Sequence, residues 1–193
     1  KAVVMSLENL DRQPCSLKQT KSFIGNGVDF LIKKIMDLRF ITEFETLKSL
    51  FLKNYKKVYL NNSPKYPGCK EILSQIHESV TPNLACVTNK PYGYASDILY
   101  SEGLDFKYLI GGDDSKIRKP SGFGIIKACE FFNVEPKSCI YIGDSLVDFQ
   151  ASKSAGCNFI FASYGYGSLD FMPNLSIKSI QELLNKIKSS LYD

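Results

Sequence analysis

The pattern of apolar and polar residues changes character twice along this chain. Between residues 16 and 60 the apolar side chains recur at helical spacing, as in Phe30, Leu31 and Ile35, which predicts a block made of helices. From Tyr66 onward, short apolar runs alternate with amphipathic stretches. Strands separated by helices predict an α/β fold with a parallel sheet and right-handed crossovers.

The elements of the alternating part can be placed along the chain. Strands are predicted at 84–87, 108–110, 138–142 and 158–162, and helices at 69–78, 92–102, 121–132, 151–155 and 177–191. The apolar run Lys1–Met5 predicts a further short buried strand at the start. The helical block then lies between the first and second strands, so it is an inserted cap. The predicted organisation is a core of residues 1–5 and 67–193 with a helical cap of residues 6–66.

Composition narrows the classes of function. The 193 residues carry a net charge of +4 that is spread along the chain, and no basic tract with interleaved aromatics suggests a nucleic-acid partner. No apolar run approaches the roughly 20 residues of a membrane span. The six cysteines form no Cys-x-x-Cys pair, which predicts free thiols and a reducing, cytoplasmic setting. His77 is the one histidine, so zinc and a Ser-His-Asp triad are disfavoured.

Two carboxylates follow the strand predicted at 138–142. Asp144 and Asp148 stand four residues apart at the start of a helix, so they share a face and can point at one spot. That spot lies at the carboxyl end of a parallel strand, where open α/β sheets bind their ligands. Converging carboxylates there suggest a hard cation such as Mg²⁺. The alternative is an N-cap at Asp144 and a solvated Asp148.

Two other loops after predicted strands carry polar groups. Thr88 and Asn89 directly follow the strand at 84–87, where a hydroxyl, backbone amides and a helix N-terminus can hold phosphate oxygens. Lys119, followed by Pro120, offers an ammonium that could neutralise a phosphate and a nearby carboxylate. Taken singly, each has an ordinary alternative: an N-cap at Thr88 and a surface lysine at position 119.

In this order, Thr88, Lys119 and the segment Gly143–Asp148 resemble the motifs of the haloacid dehalogenase-like phosphohydrolase superfamily. Further segments resemble its phosphoglycolate phosphatase branch: 22–27, 66–68, 87–91, 111–113 and 164–167. The resemblance implies a Rossmann-like core with helices on both faces, a helical cap, Mg²⁺ and hydrolysis of a small phosphomonoester. It also implies that Thr88 and Asn89 bind the substrate's phosphate, that Lys119 stabilises charge, and that Asp144 ligates the metal with Asp148 in support.

The superfamily's Asp-x-Asp nucleophile motif is missing after Met5. That motif supplies an aspartate that attacks phosphorus and a second that acts as general acid and base. Aligned without a gap, Ser6 and Glu8 would replace them. In a second register, residues 6–10 resemble the end of the first cap helix, and the catalytic loop is absent between Met5 and Ser6. That loop was either lost or lies in a segment omitted from the sequence, and we favour the omitted segment. A normal Cα–Cα spacing at Met5–Ser6 of about 3.8 Å would instead favour a deletion and an inactive protein.

Two functions follow from these expectations. The first is a Mg²⁺-dependent phosphatase that forms an aspartyl-phosphate and acts on 2-phosphoglycolate or a similar small phosphorylated acid. The second is a non-catalytic protein in which Thr88, Lys119 and Asp144 bind phosphate and metal without turnover. The sequence fixes neither the exact substrate nor the oligomeric state.

Overall fold

The computed structural model describes residues 1–192, with side chains through residue 189, and these form two compact units. We call Lys1–Pro64 the helical unit and Lys65–Asp193 the α/β unit. None of the helices in the described part of the chain has the length and apolar character needed to cross a bilayer.

The helical unit has four α-helices over its described residues. They are α1 (Ala2–Glu8), α2 (Leu17–Ser22), α3 (Val28–Arg39) and α4 (Phe44–Val58), and a 3₁₀ turn follows at Leu60–Asn62. α1 packs along α4, and α3 packs on the same helix. The core is apolar, with Leu7, Ile32 and Leu47 all but fully buried. The helical spacing seen between residues 16 and 60 therefore marks the faces that make this core.

The strand predicted at Lys1–Met5 is wrong, because these residues begin α1. The buried residues of α1 are Ala2, Val3, Ser6 and Leu7, a spacing that forms one helical stripe running through the Met5–Ser6 bond. The Ser6 hydroxyl donates to the Ala2 carbonyl at 2.8 Å, within the same helix. A catalytic loop has no place inside this helix. The helix continues through Met5–Ser6, so the predicted strand and the catalytic loop after it are not found at this point of the chain.

The α/β unit alternates helices and strands much as its sequence predicts. Its elements are α5 (Cys69–Ser79), β1 (Ala85–Val87), α6 (Tyr92–Ser101), β2 (Tyr108–Ile110), α7 (Phe123–Phe132), β3 (Ile140–Gly143), α8 (Leu146–Ala155), β4 (Asn158–Ala162), β5 (Ser176–Ile177) and α9 (Leu183–Tyr192). All strand pairs are parallel: β1 pairs with β2, β3 with β4, and β4 with β5. The α/β class with a parallel sheet is thus confirmed.

One prediction in this unit fails at its start. The closing helix was expected from residue 177, but Ile177 is fully buried in β5 and α9 begins only at Leu183. Ser179 between them has extended backbone, with φ −156° and ψ 161°, and a 3₁₀ turn at Ile180–Glu182 leads into the helix. The apolar residues 177, 180 and 183 fit helical spacing, although the first of them belongs to the sheet.

Candidate active site

Asn89 joins the loop after β1 to the loop that carries Lys119. Its side chain is buried and makes two hydrogen bonds to the backbone of Lys119: the Asn89 Nδ2 donates to the carbonyl at 2.9 Å, and the amide donates to Asn89 Oδ1 at 2.8 Å. These two hydrogen bonds fix the Lys119 backbone relative to β1. Asn89 is predicted to bind the substrate's phosphate, and in the structure its side-chain amide holds the neighbouring loop.

The Thr88 hydroxyl lies in the turn that follows β1. The Thr88 amide donates to the Ile110 carbonyl at 2.9 Å and so extends the pairing of β1 with β2. Its Oγ1 accepts the Lys90 amide at 3.2 Å. In that bond the hydroxyl is only an acceptor, so its proton is left to donate to a ligand. The amide of Tyr92 at the start of α6, in contrast, donates to Asp113 Oδ2 at 2.7 Å, so a protein carboxylate occupies that donor.

Glycine 112 allows this turn to pack closely. Its amide donates to the Lys90 carbonyl at 2.8 Å, and a Cβ at this position would overlap the Asn89 backbone. The Gly111–Gly112 pair is therefore required by the close approach of the two loops.

Lys119 is a buried cation paired with a buried carboxylate. Its Nζ lies 2.6 Å from Asp148 Oδ1, and only 12% and 6% of the two side chains are exposed. The ammonium also lies 5.7 Å from the centre of the Tyr141 ring. Burial by itself lowers the pKa of Lys119, but the surrounding Tyr141 and Asp148 outweigh it and raise that pKa above its ordinary value. Lys119 is therefore charged at every physiological pH.

Asp148 is held on both of its oxygens. Oδ1 accepts from Lys119 and lies 3.3 Å from the Tyr141 hydroxyl oxygen. Oδ2 accepts the amides of Asp144 and Ser145 at 3.2 and 3.1 Å, and also the Ser145 hydroxyl. Burial acts to raise the pKa of Asp148, while Lys119 and these donors lower it, and the net direction is down. Asp148 is thus an ionised group that caps α8 and pairs with Lys119.

Asp144 has a different environment. Its Oδ2 accepts the amides of Tyr166 at 2.6 Å and Gly167 at 3.3 Å, so the loop after β4 fixes the carboxylate. A Cβ at Gly165 would overlap the Asp144 side chain, so this loop can pack here only with glycine. No donor from the described residues bonds to Asp144 Oδ1, which leaves that oxygen for a cation.

The donor set for a metal is incomplete within residues 1–192. Among these residues no group of three or more His, Cys, Asp or Glu side chains is placed to hold a metal ion. The expected convergence of Asp144 and Asp148 on one ion is not what the contacts show, because Lys119 and the α8 cap engage both Asp148 oxygens. Asp144 fits a hard cation that keeps its waters and takes one or two carboxylates.

The three loops nevertheless form one connected site. Asn89 bonds to Lys119, Lys119 pairs with Asp148, and Asp148 bonds to the amide of Asp144. Tyr141 and Ser145 are site residues that the sequence motifs did not indicate: the Ser145 hydroxyl donates to Asp148, and the Tyr141 hydroxyl lies 3.3 Å from it. A signal for Tyr141 was present, since a hydroxyl in an otherwise aliphatic strand needs a polar partner when it is buried.

Comparisons with known proteins identify the family of the chain. The family model described as haloacid dehalogenase-like hydrolase matches residues 1–162. The phosphoglycolate phosphatase of Nitrosospira multiformis is 32% identical over 172 residues, covering 86% of this chain and 75% of that protein. The phosphoglycolate phosphatase of Escherichia coli K12 is 28% identical over 212 residues, covering 95% and 83%.

A solved structure shows the same fold. The crystal structure of a predicted phosphoglycolate phosphatase from Haemophilus somnus superimposes with a TM-score of 0.88 at 28% identity, covering 95% of this chain and 88% of that one. The α/β class with a helical cap and the family resemblance are therefore confirmed. The chain belongs to the haloacid dehalogenase-like hydrolase family and is similar to its phosphoglycolate phosphatases.

Proposed function

We propose that this chain is part of a phosphatase that hydrolyses 2-phosphoglycolate or a similar small phosphorylated acid with the help of Mg²⁺. The observation that carries the proposal is the buried pair of Lys119 and Asp148, tied by hydrogen bonds to the loops of Asn89 and Asp144. The phosphoglycolate phosphatases to which the chain is similar support the substrate class. The free cysteines of the described residues support a reducing, cytoplasmic setting.

Each of the site residues has a separate role in the proposed reaction. The Thr88 hydroxyl donates to a phosphate oxygen, and the Lys119 ammonium neutralises the charge of the phosphoryl group. Asp148 keeps the Lys119 ammonium charged and holds it in place, so Asp148 is a positioning residue. Asp144 supplies one ligand to the cation through Oδ1. When bound, a divalent cation polarises the phosphoryl oxygens and screens their negative charge.

In this proposal, the nucleophile is not among residues 1–193. No Asp-x-Asp occurs anywhere in residues 1–193. Ser6 does not replace it, because its hydroxyl is buried in α1 and donates to Ala2. Glu8 lies on the same helix, and no strand of the described residues precedes it in the chain. A carboxylate nucleophile therefore needs a further strand.

The α/β unit has a place for such a strand between β1 and β3. The Thr88 amide points toward β2, so the neighbouring Val87 carbonyl points the other way, because backbone groups alternate along a strand. That carbonyl accepts the Tyr141 hydroxyl of β3 at 3.0 Å, which shows that the unpaired edge of β1 faces β3. In the described residues β1 and β3 share no backbone pairing.

Burial supports the same placement. All three residues of β1 are only half-buried, and Ile142 of β3 is 37% exposed, whereas Ile160 of β4 is fully buried. Parallel strands are usually covered on both sides. A strand inserted between β1 and β3 would cover these side chains, and its carboxyl end would emerge between Thr88 and Asp144. We infer that the strand carrying the nucleophile occupies this position.

The proposal is tested by phosphate release from 2-phosphoglycolate in the presence of Mg²⁺. We compare residues 1–193 with the same chain extended at its N-terminus by a strand and loop that carry an Asp-x-Asp motif. The extended chain is expected to turn over and the shorter chain to bind inorganic phosphate without turnover. The matched control replaces both aspartates of the added Asp-x-Asp by asparagine. Phosphate binding without release by the extended chain would favour the non-catalytic alternative.

Asp144→Asn tests the metal assignment in the extended chain. Losing the carboxylate charge is expected to weaken Mg²⁺ binding in calorimetry and to lower turnover by more than about 100-fold. The far-UV circular dichroism should be unchanged, because the amide oxygen can still accept from Tyr166 and Gly167. Unaltered Mg²⁺ affinity would refute the role given to Asp144.

A further inference from the structure

A cluster of thiols lies at the base of α7 and β3, outside the candidate active site. The Cys129 and Cys139 sulfurs are 3.2 Å apart and share a hydrogen bond. Cys157 belongs to the same apolar cluster and donates to the Ser152 carbonyl. Cys129 and Cys157 are buried, whereas Cys139 is partly exposed. In the described residues these cysteines do not form a metal-binding group.

We propose that Cys129 and Cys139 are an oxidative modification site, at which a small disulfide such as oxidised glutathione converts the two thiols into an intramolecular disulfide. The two sulfurs need to approach by only about 1.2 Å to reach the bond length of about 2.05 Å. Cys129 lies in the last turn of α7, which ends at Phe132, and Cys139 lies in the connecting segment directly before β3. The connecting segment between them can take up a shift of this size.

The reaction proceeds in two exchanges. The partly exposed Cys139 loses its proton and attacks one sulfur of oxidised glutathione, which releases one glutathione thiol and leaves a mixed disulfide. Cys129 then loses its proton and attacks the Cys139 sulfur, which expels the second glutathione. Two protein thiols are oxidised and one glutathione disulfide is reduced to two thiols, so electrons and protons balance.

Accessibility sets the order of these steps. Cys129 is buried, so an oxidant in solution does not reach it directly, and burial also raises the pKa of its thiol. Burial likewise raises the pKa of Cys157 to about 11. Cys139 is the accessible member of the trio and lies within bonding reach of Cys129. The geometry therefore selects a single pairing.

The product would tie together the two elements that lead to the site. α7 follows the loop of Lys119, and β3 ends at the turn that presents Asp144. The disulfide would lie at the opposite ends of these elements from the two site residues. It would therefore hold α7 against β3 without contacting the ligand.

The folded 193-residue chain, fully reduced and then equilibrated with oxidised glutathione, tests the proposal. We expect the loss of two of the six thiols, no retained glutathione, and a peptide map that joins Cys129 to Cys139. Cys139→Ser should abolish the bond, and Cys129→Ala should stop the reaction at a stable glutathione adduct on Cys139. Cys69→Ser, in α5, is the matched control and should leave the bond intact.

Three results would overturn the proposal. The first is six free thiols in the folded chain after equilibration. The second is a bond that maps to Cys139 and Cys157. The third is a Cys129–Cys139 bond that forms only in urea, since this would show that native geometry does not promote it.

Discussion

Replacing Asp148 by asparagine should destabilise the α/β unit far more than a typical loss of an ion pair. The charges of Lys119 and Asp148 are 2.6 Å apart and both side chains are nearly buried. At an effective dielectric constant of about 20, their attraction is about 6 kcal/mol before desolvation. Asparagine keeps the shape but leaves the ammonium buried without a counter-charge, which costs about 3–5 kcal/mol.

The hydrogen bonds of Asp148 add to this effect. Its Oδ2 accepts from Ser145 and Asp144, while Oδ1 accepts from Lys119. An asparagine has only one acceptor oxygen, so in either orientation its NH₂ group faces a donor. The variant cannot relax by flipping its amide.

The assay is urea unfolding followed by far-UV circular dichroism, since the chain contains no tryptophan. Glu130→Gln is the matched control, because the Lys127–Glu130 pair has a similar separation of 2.7 Å but is 44% and 57% exposed. It should cost less than about 1 kcal/mol. The double variant Lys119→Met with Asp148→Asn should regain at least about 1 kcal/mol relative to Asp148→Asn. Equal effects of Asp148→Asn and Glu130→Gln would refute the reasoning.

The pH dependence of the unfolding free energy is an independent test of the charge on Asp148. The pKa of Asp148 is lower in the folded than in the unfolded chain, so its contribution is present above the unfolded value of about 4 and is lost as the pH falls through the folded value. The difference in unfolding free energy between the wild type and Asp148→Asn should therefore be level from about pH 5 to 9 and shrink in acid. A difference that instead grows in acid would contradict an ionised Asp148.

Two further variants test other contacts. Gly165→Ala should cost about 1–3 kcal/mol because its Cβ overlaps Asp144, whereas Gly93→Ala in α6 meets open space and should be neutral or stabilising in the same urea series. Equal effects of the two would contradict the close packing. Ser6→Ala should cost about 1 kcal/mol, because the Asn54 side chain loses an acceptor at 3.2 Å, and should leave turnover of the extended chain unchanged. A large loss of turnover would indicate that Ser6 takes part in the reaction.

Local patterns predicted most of the α/β unit because its elements bury one face each. β2 matches its predicted range, and α8 ends where expected, with Gly156 at φ 76° in the left-handed region. The failures arose where local pattern and tertiary context disagree. Residues 1–5 contain two adjacent valines that suggest a strand, yet the buried stripe of α1 becomes visible only when Ser6 and Leu7 are included.

The site residues were predicted by type and order, but their division of labour was not. Spacing alone makes Asp144 and Asp148 equivalent, because the sequence predicts both at the start of one helix, whereas in the structure Asp144 precedes α8 and Asp148 lies in its first turn. The contacts that separate them come from distant parts of the chain: Lys119 for Asp148, and the amides of Tyr166 and Gly167 for Asp144. No local pattern reports which loop will approach which carboxylate.

The separation of these two roles explains why the site needs two carboxylates. A single aspartate could not both neutralise a buried lysine and remain open to a cation, because both Asp148 oxygens are engaged by donors. Without Asp148, burial would lower the pKa of Lys119 with less to oppose it, and the ammonium would lack its counter-charge. Asp148 therefore supports the positive charge of Lys119, and under the proposed function Asp144 is the carboxylate that takes the cation. The arrangement accounts for the two acidic residues, Asp144 and Asp148, beside a site that is proposed to bind a phosphate.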